Sequence, residues 1–124
     1  MSEELRGVVV CHGPLAGALV QAAEQISGLK DALLPVSNTG CDRGTLEERI
    51  LAAVDGHPAV VFVDLASGSC LFAVLNRLRS EQLVKVVTGV NLAMLVDFVF
   101  HRSLSPAEAA SRAVAAGEKS IRIP

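Results

Sequence analysis

The chain alternates short β-branched apolar runs with longer segments whose apolar residues recur at helical spacing. Val8-Val9-Val10 reads as a buried strand that stops at the small-residue turn Cys11-His12-Gly13. Leu15, Ala18, Leu19, Ala22 and Ile26 then fall on one helical stripe, with Pro14 suited to the first helical position and Ser27-Gly28 to the end. Asp31 to Val36 predicts a second strand, followed by a loop through Ser37-Asn38-Thr39-Gly40. Thr45, with Glu48 at capping-box spacing, predicts the start of a helix striped by Leu46, Ile50, Leu51 and Val54. Ala59-Val60-Val61-Phe62-Val63 has the uninterrupted apolar character of a central parallel strand and ends at Asp64.

The small-residue loop Leu65 to Ser69 leads into a helix carrying Phe72, Leu75 and Leu78. Leu83 to Thr88 predicts a fourth strand, and Gly89-Val90-Asn91 opens a helix through Met94, Leu95 and Phe98. Ser105-Pro106-Ala107-Glu108 combines a cap, a first-turn proline and an acidic group near the positive helix end, predicting a last helix to about Gly117. Ser120 to Ile123 predicts a small terminal strand. The alternation specifies an α/β fold: a doubly wound, mostly parallel sheet of four strands plus a short C-terminal strand, with helices on both faces. With no internal repeat, linker or low-complexity tract, residues 1–124 are expected to form one domain.

Composition narrows the function classes. At 124 residues and 51% hydrophobic, with four Phe and no Trp or Tyr, the chain must build an aliphatic core. A formal charge of -2 gives no footprint for nucleic acid, and the scarcity of aromatics argues against base stacking. No apolar run reaches the roughly 20 residues of a membrane span, and Met1-Ser2-Glu3-Glu4 is acidic rather than signal-like. Three widely spaced cysteines fit a reducing compartment. The expectation is a cytoplasmic protein without direct membrane insertion.

In a parallel α/β sheet the strand-to-helix loops share one rim, where ligands bind. That rule gathers His12, Ser37-Asn38, Asp64 with Ser67-Gly68-Ser69, and Asn91. A carboxylate on one imidazole N–H fixes the tautomer and frees the other nitrogen to attack, so His12 with Asp64 forms a nucleophile and its orienter. Gly13, Gly68 and Ser69 would provide an anion cradle, with Ser37, Asn38, Ser67 and Asn91 lining the pocket. The Walker lysine motif and a magnesium ligand cluster are both missing, which argues against nucleotide cleavage. His57, in a Gly-His-Pro turn, reads as a solvated residue on the opposite rim; His101 reads as a dipole-complementing group at a helix end. Arg43 and Arg77 read as solvated helix-face charges. Cys11 and Cys70 raise zinc as a ligand, but their spacing matches no ligand pattern. They read as small buried thiols, so no metal or other cofactor is expected.

These motifs resemble the mannose-family EIIA component of the bacterial phosphoenolpyruvate-dependent sugar phosphotransferase system. The likeness lies in Val8-Val9-Val10-Cys11-His12-Gly13, Ala22-Ala23-Glu24, Thr45-Leu46-Glu47, Phe62-Val63-Asp64-Leu65, Gly68-Ser69 and Gly89-Val90-Asn91-Leu92 with Met94-Leu95. It spans nearly the whole chain. The resemblance implies that His12 is the phosphorylated histidine and Asp64 its partner, that HPr donates the phosphoryl group, and that an EIIB domain or a regulatory protein accepts it. It also implies a homodimer in which the terminal strand, Ser120 to Ile123, is exchanged. Two departures stand out. The family's Gly-Gly-Ser-Pro-x-Asn stretch reads Ser67-Gly68-Ser69-Cys70-Leu71-Phe72, and Ala93 stands where the family has proline. They leave the histidine chemistry intact but alter a partner-facing loop. Two alternatives share the fold: a non-catalytic regulatory module whose partner choice depends on His12 phosphorylation, and a small dihydroxyacetone-kinase phosphotransfer domain, which matches less well around Gly89-Val90-Asn91.

Overall fold

The computed structural model describes residues 4–124; Met1, Ser2 and Glu3, most of the acidic amino terminus read from the sequence, lie outside them. Four strands, β1 (Arg6–Cys11), β2 (Leu33–Ser37), β3 (Ala59–Val63) and β4 (Val84–Thr88), form one sheet in the order β2-β1-β3-β4, all parallel. Helices α1 (Leu15–Ser27), α2 (Arg43–Val54), α3 (Ser69–Leu78), α4 (Leu92–Val99) and α5 (Pro106–Lys119) cover it. Strand order reverses between β1 and β3, which are hydrogen-bonded neighbours with Val10 opposite Val63. Their carboxyl ends therefore lie side by side at the switch point, where open α/β sheets bind ligands.

The period-two alternation of each strand divides the core into two layers. Val9 and Cys11 of β1 join Phe62, Val20, Leu95 and Phe98 on the side of α1, α4 and α5, whereas Val8 and Val10 join Val61, Ile50, Cys70 and Val74 on the side of α2 and α3. Phe62 and Phe98 meet edge to face, with centroids 5.4 Å apart and planes at 77°. Gly7 makes this possible, because a Cβ there would lie 2.6 Å from both Leu33 and Phe98.

The structure moves several expected boundaries. β2 begins at Leu33 because Asp31 adopts φ 67° and turns the chain; it includes Ser37, expected in the loop. Its Pro35 is tolerated on an edge strand. α2 is capped by Asp42 rather than Thr45, the Asp42 carboxylate accepting the Thr45 N–H at 2.8 Å. Pro14 is the N-cap of α1, and Leu15 is its first helical residue. α5 has the expected Ser105/Glu108 capping box and continues to Lys119. The terminal strand expected over Ser120–Ile123 is not seen within the single chain: among the described residues this segment pairs with no strand, and Ile121 and Ile123 are 76% and 100% exposed.

Two helices turn part of the expected face outward. α1 buries Ala16, Val20 and Ala23, leaving Leu15 and Ile26 exposed; α3 buries Cys70, Ala73, Val74 and Leu78, leaving Phe72 exposed. In both, small residues turn inward, which lets the helix axis approach the sheet. Among the described residues, no helix is long and apolar enough to cross a membrane.

Candidate functional site

β1 ends in the turn that carries His12, and β3 ends at Asp64, so the register of two neighbouring strands brings these side chains together. Oδ2 of Asp64 accepts the backbone N–H of His12 at 2.9 Å and lies 2.9 Å from its Nδ1. Oδ1 accepts the N–H of Leu65 at 2.9 Å. Burial opposes ionisation of Asp64, but the hydrogen bonds from the His12 backbone and ring and from Leu65 outweigh it, holding the carboxyl below its usual range. An ionised carboxylate at Nδ1 places the ring proton there and leaves the Nε2 lone pair free. The His12 side chain is 39% exposed, against 9% for Asp64. The carboxylate is enclosed and the imidazole open.

Nε2 faces the beginning of α3. Ser69 Oγ lies 3.5 Å from it. Gly68, the N-cap, adopts φ 94°, and a Cβ at this position would sit 3.7 Å from Nε2 and Cε1. The backbone conformation favours glycine here, and a Cβ would only come into ordinary contact with the ring. No side chain caps α3. Its first-turn N–H groups, which no helix can satisfy internally, therefore lie at the end of α3 whose Ser69 stands before the His12 ring.

The other expected residues separate into two groups. Ser37 and Asn38 brace the turn from β2: Asn38 Oδ1 accepts the Gly13 N–H at 3.0 Å, and Ser37 donates to the Gly13 carbonyl at 2.7 Å. Gly13 itself has φ 60°. Ser67 is exposed and lines, with Gly68, Leu71 and Phe72, a groove of about 520 Å³ along α3. Asn91 lies elsewhere. Its Oδ1 caps α4 by accepting the Met94 N–H, and its Nδ2 donates to the Gly117 carbonyl at 3.2 Å. The structure thus gives it a bracing role between α4 and the end of α5.

Sequence reasoning missed one contributor and singled out another only as a small buried thiol. Arg49 of α2 donates to the carbonyls of Ser37 and Thr39 at 3.2 and 3.3 Å, tying down the bracing loop. Cys70 follows Ser69 into α3 and is fully buried beneath the site. Burial first, and then the Asp64 charge, push its thiol up to about 11. Cys11 lies in the opposite core layer, its thiol pushed up to about 12 by burial and by Asp64. Outside the site, Arg43 stacks 4.9 Å over the Phe72 ring, and Arg77 lies 3.8 Å from Glu47. His57 contacts Arg6 and the Asp55 carbonyl, while His101 Nδ1 lies 2.7 Å from the Asp97 carbonyl in the last turn of α4.

The arrangement matches known proteins along its length. The fold is that of phosphotransferase system component EIIA from Streptococcus agalactiae, with TM-score 0.88, 18% identity and 96% of each chain covered. It is also that of the mannose/sorbose specific IIA subunit of the phosphotransferase system from Enterococcus faecalis, with TM-score 0.84, 19% identity, and 98% of this chain and 96% of that one covered. The IIA protein associated with the fucose utilization operon of Streptococcus pneumoniae has TM-score 0.78 at 23% identity, covering 99% of this chain and 96% of its own. No curated protein matches the chain in sequence. The family model EIIA-man, described as phosphotransferase system fructose IIA component, matches residues 7–115, a stretch holding both His12 and Asp64. This chain therefore belongs to the EIIA-man family, a phosphotransfer component of the sugar phosphotransferase system.

Proposed function

We propose that this protein is a phosphohistidine carrier that accepts a phosphoryl group on Nε2 of His12 from HPr and passes it to an EIIB domain or a regulatory target. The observation carrying this reading is the 2.9 Å contact of His12 Nδ1 with Asp64, which leaves Nε2 to face Gly68, the Ser69 hydroxyl at 3.5 Å and the start of α3. In the transfer, the Nε2 lone pair attacks phosphorus as the bond to the donor's histidine nitrogen breaks. The donor imidazole leaves with that electron pair. Positive charge developing on the His12 ring is balanced by Asp64, which keeps the Nδ1 proton in a hydrogen bond. Phosphoryl oxygens are received by Ser69 Oγ and the first N–H groups of α3. Return of the group to an acceptor follows the same path in reverse, with the acceptor's nitrogen as the attacking atom.

A carrier must admit another protein's active histidine, so its nucleophile has to stand on an open surface. His12 does, and Leu15, Leu65 and Phe72 beside it are 42%, 54% and 62% exposed. Such a flanking apolar surface fits a transient protein partner better than an enclosed small-molecule substrate. We also assign a homodimer built by exchange of the terminal segment; the exposed Ile121 and Ile123 and the position of β4 at the sheet edge support it. The compartment expected for such a carrier is the cytoplasm.

The test is phosphoryl transfer from phosphorylated HPr to the wild-type chain and to His12→Ala. The expected result is an acid-labile, alkali-stable label absent from the variant. Failure of the wild-type chain to accept label, with the same donor active on another EIIA, would overturn the carrier reading. A stable phosphohistidine that no EIIB drains would instead favour the regulatory module.

A further inference from the structure

Spacing in the sequence gives no metal signature, but the fold brings three different donors together. One ligand atom each from His12, Asp64 and Cys70 lie within 4.8 Å of one another. They come from the end of β1, the end of β3 and the first turn of α3, three segments fixed by one sheet register and one helix start. We propose that His12, Asp64 and Cys70 form a site for a thiophilic divalent cation of the zinc type, whose occupancy takes the His12 imidazole out of phosphoryl transfer. The inhibitory consequence rests on the carrier reading above; the binding site itself does not.

The donor set suits this ion. Imidazole, carboxylate and thiolate are the three ligand types zinc takes in proteins, and a three-ligand site leaves a fourth position for water. Bonds of about 2.0–2.3 Å in a tetrahedron put neighbouring donors roughly 3.3–3.8 Å apart, so the cluster needs to contract by about 1 Å. The His12 ring, 39% exposed, can rotate to meet the ion once its 2.9 Å contact with Asp64 is given up. Binding displaces the Cys70 proton to solvent. The divalent charge favours the thiolate at its bond to the ion, and the amino end of α3, where Cys70 sits, adds to this effect. Softness selects the ion: magnesium and calcium prefer all-oxygen sites, and a thiolate excludes them.

Cobalt(II) is the probe, because a cobalt–thiolate bond has a near-ultraviolet charge-transfer absorption that histidine and carboxylate ligands lack. Titrating the reduced, metal-free chain should give one equivalent bound with that absorption, and zinc should displace it. Cys70→Ser should lose the band and weaken binding about tenfold or more, Cys70→Ala should do the same, and Cys41→Ser should keep both. A band that survives in folded Cys70→Ser, or binding unaltered by it, overturns the site. Should both Cys70 variants misfold, the unmutated chain still decides: zinc must shift the His12 ring resonances in NMR, and a bound metal that leaves them unmoved overturns the proposal. Zinc should also lower labelling of the wild-type chain by HPr at least tenfold, with recovery on chelation. Absence of labelling in the metal-free chain would count against the carrier reading and leave the cobalt result standing; undiminished labelling at saturating zinc would overturn the inhibition.

Discussion

One oxygen of Asp64 serves His12 twice: Oδ2 lies 2.9 Å from the backbone nitrogen and 2.9 Å from Nδ1 of the ring. The backbone contact fixes where the turn leaves β1, and the ring contact fixes which nitrogen keeps its proton. A single carboxylate thereby sets both the position and the tautomer of the His12 ring. Asp64→Asn preserves the shape but offers a neutral amide, which can present either its oxygen or its NH₂ to Nδ1. The expected result is a folded protein whose rate of phosphoryl acceptance falls by about 10²–10⁴-fold, by analogy with neutralising the orienting carboxylate of a triad. Rapid-quench transfer kinetics checks the rate. Nitrogen NMR of the ring checks the cause, since the Nδ1–H tautomer should lose its dominance.

The same carboxyl is held below its usual range, and the sign of the pH effect follows from that direction. A group that binds protons less tightly when folded contributes stability above its unfolded pKa, about 3.9 for Asp. That contribution disappears as pH falls through the lower folded value. Stability should therefore carry an Asp64 component that is constant near neutrality and declines only in the acid range. Urea unfolding of wild type and Asp64→Asn from about pH 7 down to about pH 3 measures it. The difference between the two proteins should shrink toward the acid end; a difference that grows there contradicts the assignment.

Much of this molecule can be read before folding it. The β-branched runs at Val8–Val10 and Ala59–Val63 have no competing interpretation, and two parallel strands ending in His12 and Asp64 bring those residues to one rim by topology alone. Helix faces were less legible. In α1 and α3 the largest apolar residues, Leu15, Ile26 and Phe72, point outward, whereas Ala16, Ala23, Cys70 and Ala73 meet the sheet. Hydrophobic size marks a core stripe only when axial approach is not limiting, and here close packing favours small residues. Caps were ambiguous for a different reason: Asp42 and Thr45 are both good cap residues three apart, and only the backbone of Asp42, extended at ψ 178°, decides between them. The terminal segment was illegible in principle, because strand character depends on a pairing edge rather than on its own residues.

Gly68 carries two constraints that a single substitution separates poorly but two readouts separate well. Its φ of 94° disfavours any L side chain, and a Cβ would stand 3.7 Å from Nε2. Gly68→Ala should lose about 1–3 kcal/mol of stability from backbone strain. It should also slow phosphoryl acceptance, because the methyl group occupies space in front of the attacking nitrogen. Chemical unfolding reads the first effect. Transfer rates at a temperature where the variant is fully folded read the second, and an unchanged rate there would place the incoming phosphoryl group on another side of the ring.

Asn91 provides the contrast. The sequence put it on the same rim as His12, but its side chain caps α4 through Met94 and donates to the carbonyl of Gly117 near the end of α5, with Ser120 Oγ at 3.4 Å. Gly117 admits this approach because it has no side chain; a Cβ there would lie 2.6 Å from Met94 and 3.2 Å from Asn91 Oδ1. Asn91→Ala removes a cap and a tie between two helices together. A stability loss of about 1–2 kcal/mol is expected from the cap, with the lost tie adding to it. Because these contacts lie on α4 and α5, the defect should appear as faster hydrogen exchange at the end of α5 and the start of α4. The label accepted by His12 should reach the wild-type level. A variant that keeps its stability and loses acceptance would return Asn91 to the phosphoryl pocket.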